Sequence, residues 1–182
     1  MSRISSINKS LVLLERMAER ELDVCLWFNR ACRYPGVRAG FAIVSWLGDG
    51  KFWYALILLL PLLYGAAGLE AAVTMIVNGL AGTLIYKVIK EKTGRLRPCN
   101  ANRTIAAGTA PLDFYSFPSG HTLHAVSFTV IAVSHFPHLA GLLAPFATLV
   151  ALSRVILGLH YPTDVIMGAL IGLALAVAGI HF

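Results

Sequence analysis

Three short polar clusters interrupt an otherwise apolar chain: KEKTGRLRP at Lys90–Pro98, PSGH at Pro118–His121, and SRVILGLHYPTD at Ser153–Asp164. Lys90, Arg97 and Arg154 are cations, and Arg154 falls late in an apolar run. Burying a cation in hydrocarbon costs at least ~2.5–3.5 kcal/mol on insertion scales. Three of them at one place repel unless an anion holds them, and phosphate is the anion whose oxygens suit the planar fork of arginine. Ser119 and Gly120 stand where a helix begins after Pro118, and free N–H groups at a helix start bind phosphate. Glycine there lets a ligand approach the backbone. Asp164, in the first turn after Pro162, is spaced to hydrogen-bond one nitrogen of His160 and leave the other free to attack. His121, from another helix, is placed to protonate a leaving oxygen. An anion cradle, a nucleophile, its orienter and an acid are the parts of phosphoryl transfer.

The elements that must bring these residues together are legible in composition. The chain has 182 residues, 57% of them hydrophobic and 13% charged, against about 25% charged in soluble domains. That is the composition of a membrane protein. Its net charge of +6 then points to lipid headgroups or phosphate rather than to nucleic acid. No cleavable signal peptide is expected, because the apolar stretch Leu11–Leu14 is too short and charges follow at once. The three cysteines, Cys25, Cys32 and Cys99, lack metal-ligand spacing and read as free thiols.

Residues 7–33 mix apolar and charged positions and predict an amphipathic surface helix, broken at Tyr34-Pro35-Gly36. Residues 37–48 are apolar but too few to span comfortably, and Asp49 in "GDGK" is a candidate helix N-cap. Five longer segments follow at about 52–67, 69–90, 119–136, 138–158 and 163–181, each near the roughly 20 residues a spanning helix needs. The first is short and is open to borrowing residues upstream of Lys51. The expectation is an all-α polytopic bundle of about five to six spans with an amphipathic N-terminal helix. It forms a single domain over 1–182, with 1–50 an interfacial N-terminal region and 51–182 a helical core that carries the active-site loop 91–118. Counting crossings puts Lys90, Arg97, Ser119, His121, His160 and Asp164 at the membrane face that bears loop 91–118, here the X face, and Arg154 within about one turn of it.

Lys90-x6-Arg97-Pro98, Pro118-Ser119-Gly120-His121 and Ser153-Arg154-x5-His160-x3-Asp164 resemble, in order and spacing, the three signature motifs of the type 2 phosphatidic acid phosphatase (PAP2) superfamily, which also includes vanadium haloperoxidases. The resemblance covers residues 90–164, and the surrounding helical frame is similar to the small bacterial members. It implies that His160 is a nucleophile that forms a phosphohistidine, that Asp164 orients it and that His121 is the acid. It further implies that Lys90, Arg97, Ser119, Gly120 and Arg154 hold the phosphoryl oxygens, without a metal or other cofactor. The implied activity is that of an integral membrane phosphatase acting on a lipid phosphate such as phosphatidic acid, phosphatidylglycerophosphate or undecaprenyl diphosphate. Its alternatives are a haloperoxidase using vanadate and a catalytically silent lipid-phosphate binder. For a diphosphate, Lys92 or Arg95 are candidate extra cations.

Plainer readings hold elsewhere. His121-x-x-His124 with His160 and Asp164 is the less favoured alternative of a metal site. His135 and His138 flank a turn on the far face. Gly168-x-x-x-Gly172, extended by Ala176, reads as a packing face, and Asn78 as an interhelical hydrogen bond. Trp46, Trp53 and Tyr54 read as interfacial anchors. Topology follows residues 36–48. If they lie on the surface, the N-terminus shares the X face and the positive-inside rule puts X in the cytoplasm. If they cross, the seven basic residues of 1–38 mark the opposite side. Resemblance to bacterial members favours a plasma-membrane protein with its site facing outward.

Overall fold

A computed structural model of the chain describes residues 19–111 and 113–181. Leu11, Leu14 and Met17 of the expected amphipathic helix lie outside these residues. Its described part is helical over 19–29, here α1, and ends in a 3-10 turn at Arg30–Arg33. Tyr34 is extended (φ −92°, ψ 112°) and Pro35 opens α2, Pro35–Trp46. Proline at a first helical position loses no hydrogen bond, so the Tyr34-Pro35 break is both an end and a start.

The helix α3, Phe52–Thr93, is two arms rather than one rod, because Gly65 sits at φ 60°, ψ −131° inside it. A Cβ on Gly68 would lie 2.0 Å from the carbonyl oxygen of Leu60, so the chain folds straight back on itself there. Loop 91–118 carries the short helix α4, Pro98–Ala101. Next come α5, Gly120–His135, α6, Ala140–Ile156, and α7, Pro162–His181. Among the described residues the chain is helical, with a single isolated bridge between Leu96 and Tyr115.

Residues 36–48 neither lie flat nor cross alone. Arg38 Nε donates to the carbonyl of Gly108 in the X-face loop, and deeper down Gly48 packs on Val150 of α6. Past a break at Asp49-Gly50, the Phe52 ring packs at a tilt on Phe146, and Tyr64 at the far end stacks on Phe136. α2 and the first arm of α3 therefore form one kinked rod, antiparallel to α6, that starts at the X face. The borrowing of upstream residues expected for the 52–67 segment is what this rod does. The N-terminal helix is tied to the same face, since Asn29 Nδ2 donates to the carbonyls of Ala106 and Ile156.

α5 sits at the centre, packed on α7, α3 and α6. Trp53, Met75, Phe128, Ile131, Leu143 and Val150 make the main core. Trp53 is fully buried there, which corrects its reading as an interfacial anchor, while Trp46 and Tyr54 are exposed. Cβ atoms on Gly168 and Gly172 would come within 2.4 and 2.3 Å of the Ser119 and Leu123 carbonyl oxygens, so the small stripe of α7 lies on the α5 backbone. Asn78 departs from expectation: its Nδ2 donates one turn back, to Thr74 of its own helix, under Gly179. Outward, Leu58, Leu62, Leu63, Leu80 and Leu84 are each two-thirds or more exposed. Such a surface suits hydrocarbon and not water. Pro35–Thr93, Pro137–Ile156 and Pro162–His181 are long and apolar enough to cross a membrane.

Candidate active site

Each polar cluster is delivered by a helix end or a turn. α3 stops at Thr93 because Gly94 takes the left-handed conformation (φ 58°) and closes the helix with a bond from its N–H to the Lys90 carbonyl. This leaves Lys90 in the last turn and Arg97 on the strand-like segment behind it. α5 starts at Gly120, capped by Ser119, whose Oγ accepts from the Thr122 N–H and pairs with its hydroxyl at 3.0 Å. The Ser119 N–H donates to the Asp164 carbonyl at 3.0 Å, so the starts of α5 and α7 are joined. After α6, Gly158 at φ 71° turns the chain, and the His160 N–H closes back on the Arg154 carbonyl. A Cβ on Gly158 would lie 2.6 Å from Ile105, so this turn needs glycine for its space as well as its angle. Gly158 was not singled out in the sequence, although its place between Arg154 and His160 was the available signal.

The result is one cavity of about 680 Å³ at the X end, lined by Lys90, Arg97, Asp113, Gly120, His121, Arg154 and His160, with Asp49 at its side. Its floor runs between the α3 arms and α5, past Ile57, Leu58, Met75, Ile76 and Leu80. Of the site residues read from sequence, Ser119 and Asp164 stand behind this wall, fully buried, and the rest face it.

Arg97, 1% exposed, is the hub. Its Nη1 donates to the Leu159 carbonyl (2.8 Å) and to His160 Nε2 (3.0 Å), its Nε to the Asp113 carbonyl (2.9 Å), and its Nη2 to Asp113 Oδ1 (2.5 Å). Lys90 Nζ donates to the other oxygen of Asp113 at 2.6 Å. One loop carboxylate thus lies across Lys90 and Arg97. Burial works to raise the pKa of Asp113, but the hydrogen bond and charge of Lys90, followed by Arg97, hold it below its ordinary 3.8. Arg154 donates from Nη1 to the buried hydroxyl of Ser45, while its Nε is buried without a partner among the described residues. Asp113 and Ser45 carried no motif that would have marked them.

His160 is buried, and that burial, with the charges of Arg154 and Arg97, holds its pKa well below 6.5. The ring is neutral at neutral pH. Arginine can only donate, so Nε2 is the acceptor and the proton rests on Nδ1. Nδ1 lies 3.6 Å from Asp164 Oδ2, beyond hydrogen-bond reach, and has no hydrogen-bond partner among the described residues. The carboxylate of Asp164 is held instead by the Tyr161 N–H at 2.8 Å and by Arg95 Nη1 at 2.6 Å. Arg95 stacks on Tyr161 and also pairs with Glu21 of α1, whose second oxygen caps the Thr163 N–H of α7. Arg95 is therefore committed to carboxylates, which removes it as a spare cation for a second phosphate. His121 Nε2 lies 3.5 Å from Asp49 Oδ1. Asp49 makes no cap bond, contrary to its reading as an N-cap. His124 Nε2 is engaged by the Gly79 carbonyl (3.1 Å) and Thr83 (3.3 Å), so it does not join His121 in a ligand set.

A model of the PAP2 superfamily matches residues 67–182. The chain belongs to this superfamily. It is 31% identical over 159 residues to phosphatidylglycerophosphatase B of Bacillus subtilis, covering 79% of this chain and 73% of that one. It is 35% identical over 105 residues to an undecaprenyl-diphosphatase of Sulfolobus acidocaldarius, covering 57% of this chain and 50% of the relative. The chain thus spans about half the length of that relative. Among solved structures it resembles Aquifex aeolicus LpxE, with a TM-score of 0.77 at 26% identity over 88% of this chain and 94% of that one. It also resembles the transmembrane PAP2 type phosphatidylglycerolphosphate phosphatase of Bacillus subtilis, with a TM-score of 0.76 at 27% identity over 92% and 86%. With this kinship and its lipid-facing rods, this PAP2 member is an integral membrane protein.

Proposed function

We propose that this PAP2 protein hydrolyses a lipid phosphate, either a phosphomonoester or a diphosphate, through a phosphohistidine on His160. The observation that carries the reading is the shared cavity: His160, His121 and the cations Lys87, Lys90, Arg97 and Arg154 face one space whose floor is apolar. In the first step His160 Nε2 attacks phosphorus and the bond from phosphorus to the leaving oxygen breaks. His121 gives that oxygen its proton. In the second step water attacks phosphorus, His121 takes the water's proton, and the P–N bond breaks to free phosphate and restore His160. Lys90, Arg97 and Arg154, with the amide end of α5 at Ser119 and Gly120, hold the oxygens on which charge develops. Asp164 orients His160 and faces the imidazolium side of its ring. The apolar floor takes the lipid chain, and the names of the relatives support phosphatidylglycerophosphate and undecaprenyl diphosphate as first candidates.

The test is phosphate release by detergent-purified protein from phosphatidic acid, phosphatidylglycerophosphate and undecaprenyl diphosphate with EDTA present. Turnover of one lipid, inhibited by vanadate and lowered at least roughly 10³-fold by His160→Ala, is expected. Turnover that survives His160→Ala at the wild-type rate sinks the mechanism.

The resemblance to bacterial members supports a plasma-membrane location with the X face outward. The charge pattern favours the opposite reading: Arg20, Arg30, Arg33, Lys92 and Arg103 belong to the X end and are not cradle residues. Labelling a single cysteine at position 103 in intact cells with a membrane-impermeant maleimide decides between them, after Cys25, Cys32 and Cys99 are replaced.

A further inference from the structure

The first rod breaks beside the cavity at the X end. Asp49 (φ −79°, ψ 33°) and Gly50 (φ 105°) leave the helical region while the helix continues on both sides. A Cβ on Gly50 would fall 2.7 Å from the Tyr54 ring, so the break needs this glycine. Kinks have identifiable causes, and here no proline supplies one. Opening a helix within an apolar rod frees backbone groups that hydrocarbon cannot satisfy, and an ionisable residue in such a rod is a functional hypothesis by default. What the break achieves is a position. Asp49 lines the cavity, one-third exposed, with Oδ1 3.5 Å from Nε2 of His121, whose side chain is only 10% exposed.

The charges around His121 give that position a meaning. Lys87 and Lys90 face the cavity from α3, Arg97 from the following loop, Arg154 from α6, His160 from the turn before α7, and His124 from α5 itself. Tyr54 and Tyr86 line it too. These cations disfavour a proton on His121. Asp113 is the other carboxylate on the wall, and it is taken up by Lys90 and Arg97. That leaves Asp49, among the described residues, as the carboxylate that faces His121. At 3.5 Å the pair exceeds a hydrogen bond but lies well within the reach of charge attraction.

We propose that Asp49 is a positioning residue that holds His121 as the protonated acid for the departing lipid oxygen. The inference rests on the phosphatase reading above. An acid matters most when the leaving group is a poor one. An alkyl or prenyl phosphate leaves as an alkoxide and needs the proton, whereas an aryl phosphate such as p-nitrophenyl phosphate leaves as a stable phenolate and needs it little.

The experiment measures kcat on the best lipid phosphate and on p-nitrophenyl phosphate, in wild type, His121→Ala, Asp49→Asn, Asp49→Ser and Asp49→Glu. Asp49→Asn should lower the lipid-to-aryl ratio at least tenfold, in the same direction as His121→Ala. Asp49→Glu should restore most of the ratio. Asp49→Ser keeps a side chain able to cap a helix but no charge, and it should behave as Asn does. A ratio unchanged in Asp49→Asn and Asp49→Ser, or full rescue by Ser, assigns Asp49 to the kink alone and overturns the proposal. Wild-type protein without turnover on either substrate overturns the phosphatase reading instead, so the two failures are distinct.

Discussion

Nε2 of His160 accepts a hydrogen bond from Nη1 of Arg97 at 3.0 Å. The nitrogen assigned to attack is thus selected from the cradle side, by a donor that cannot accept, and not by a hydrogen bond to Asp164, which stops at 3.6 Å. Arg97 reaches the Leu159 carbonyl from the same Nη1 and Asp113 from Nε and Nη2. Lysine offers one point charge and no fork. Arg97→Lys is expected to lower kcat/KM by roughly 10²-fold, about two lost charge-assisted hydrogen bonds, with His160 still present. A kinetic comparison with wild type, at equal Tm, checks this. Retention of full activity would show that charge alone suffices at this position.

Asp113 lies across Lys90 and Arg97, where a phosphate would also bind. Replacing it with asparagine removes a competitor of the substrate anion and leaves the cations facing one another. Asp113→Asn is expected to tighten vanadate inhibition by about tenfold, or ~1.4 kcal/mol, and to lower the Tm of the ligand-free protein, with inorganic phosphate restoring it. Weaker vanadate inhibition would mean instead that Asp113 arranges the cations for the substrate.

Arg95 is the counter-charge of Asp164, which has no exposed surface. Removing one partner of a buried pair leaves an uncompensated charge, at a cost of about 3 kcal/mol. Arg95→Ala should therefore lower Tm by several degrees. Arg95→Ala combined with Asp164→Asn should recover part of that loss, because neither charge remains. Glu21→Gln should act in the same direction but more weakly, since Glu21 touches Asp164 only through Arg95 and the Thr163 amide. Additive losses in the double variant would deny the coupling.

The folded pKa of His160 is held below the 6.5 of the unfolded chain, first by burial and then by Arg154 and Arg97. The unfolded state takes up this proton first as pH falls. Stability linked to His160 is thus full above pH 6.5 and is lost as pH falls below it. Asp113, also held low, contributes above its ordinary 3.8 and fails only in a more acid window. Thermal melts between pH 7.5 and 5 should show a falling Tm whose slope is reduced in His160→Gln. An equal slope in both proteins would place the acid sensitivity elsewhere.

Much of the site was legible in the chain itself. Lys90 and Arg97, or His160 and Asp164, are a few residues apart, and such spacings set geometry directly through a helix end or a turn. The parity of apolar segments then put the three clusters at one membrane face without any contact being known. Apolar run length likewise marked the rods, and Gly168 and Gly172 marked the face of α7 that lies on α5, because small residues are what close backbone approach requires. The break at Tyr34-Pro35 was equally plain, since proline fixes its own backbone angle.

The partners of the other acidic residues were a matter for tertiary structure alone. Asp49, Asp113 and Glu21 are distant in sequence from His121, Arg97 and Asp164 or separated from them by loops, and no periodicity links an isolated carboxylate to a cation it meets only after packing. For the same reason Arg95 read as a spare cation, Asp49 as a cap and Trp53 as an anchor. Side-chain type and local spacing determined what chemistry the chain can carry and at which face. Only the packed structure, in which every buried charge must find a counter-charge or an acceptor, decided which cations are free for a substrate and which are already bound to the protein.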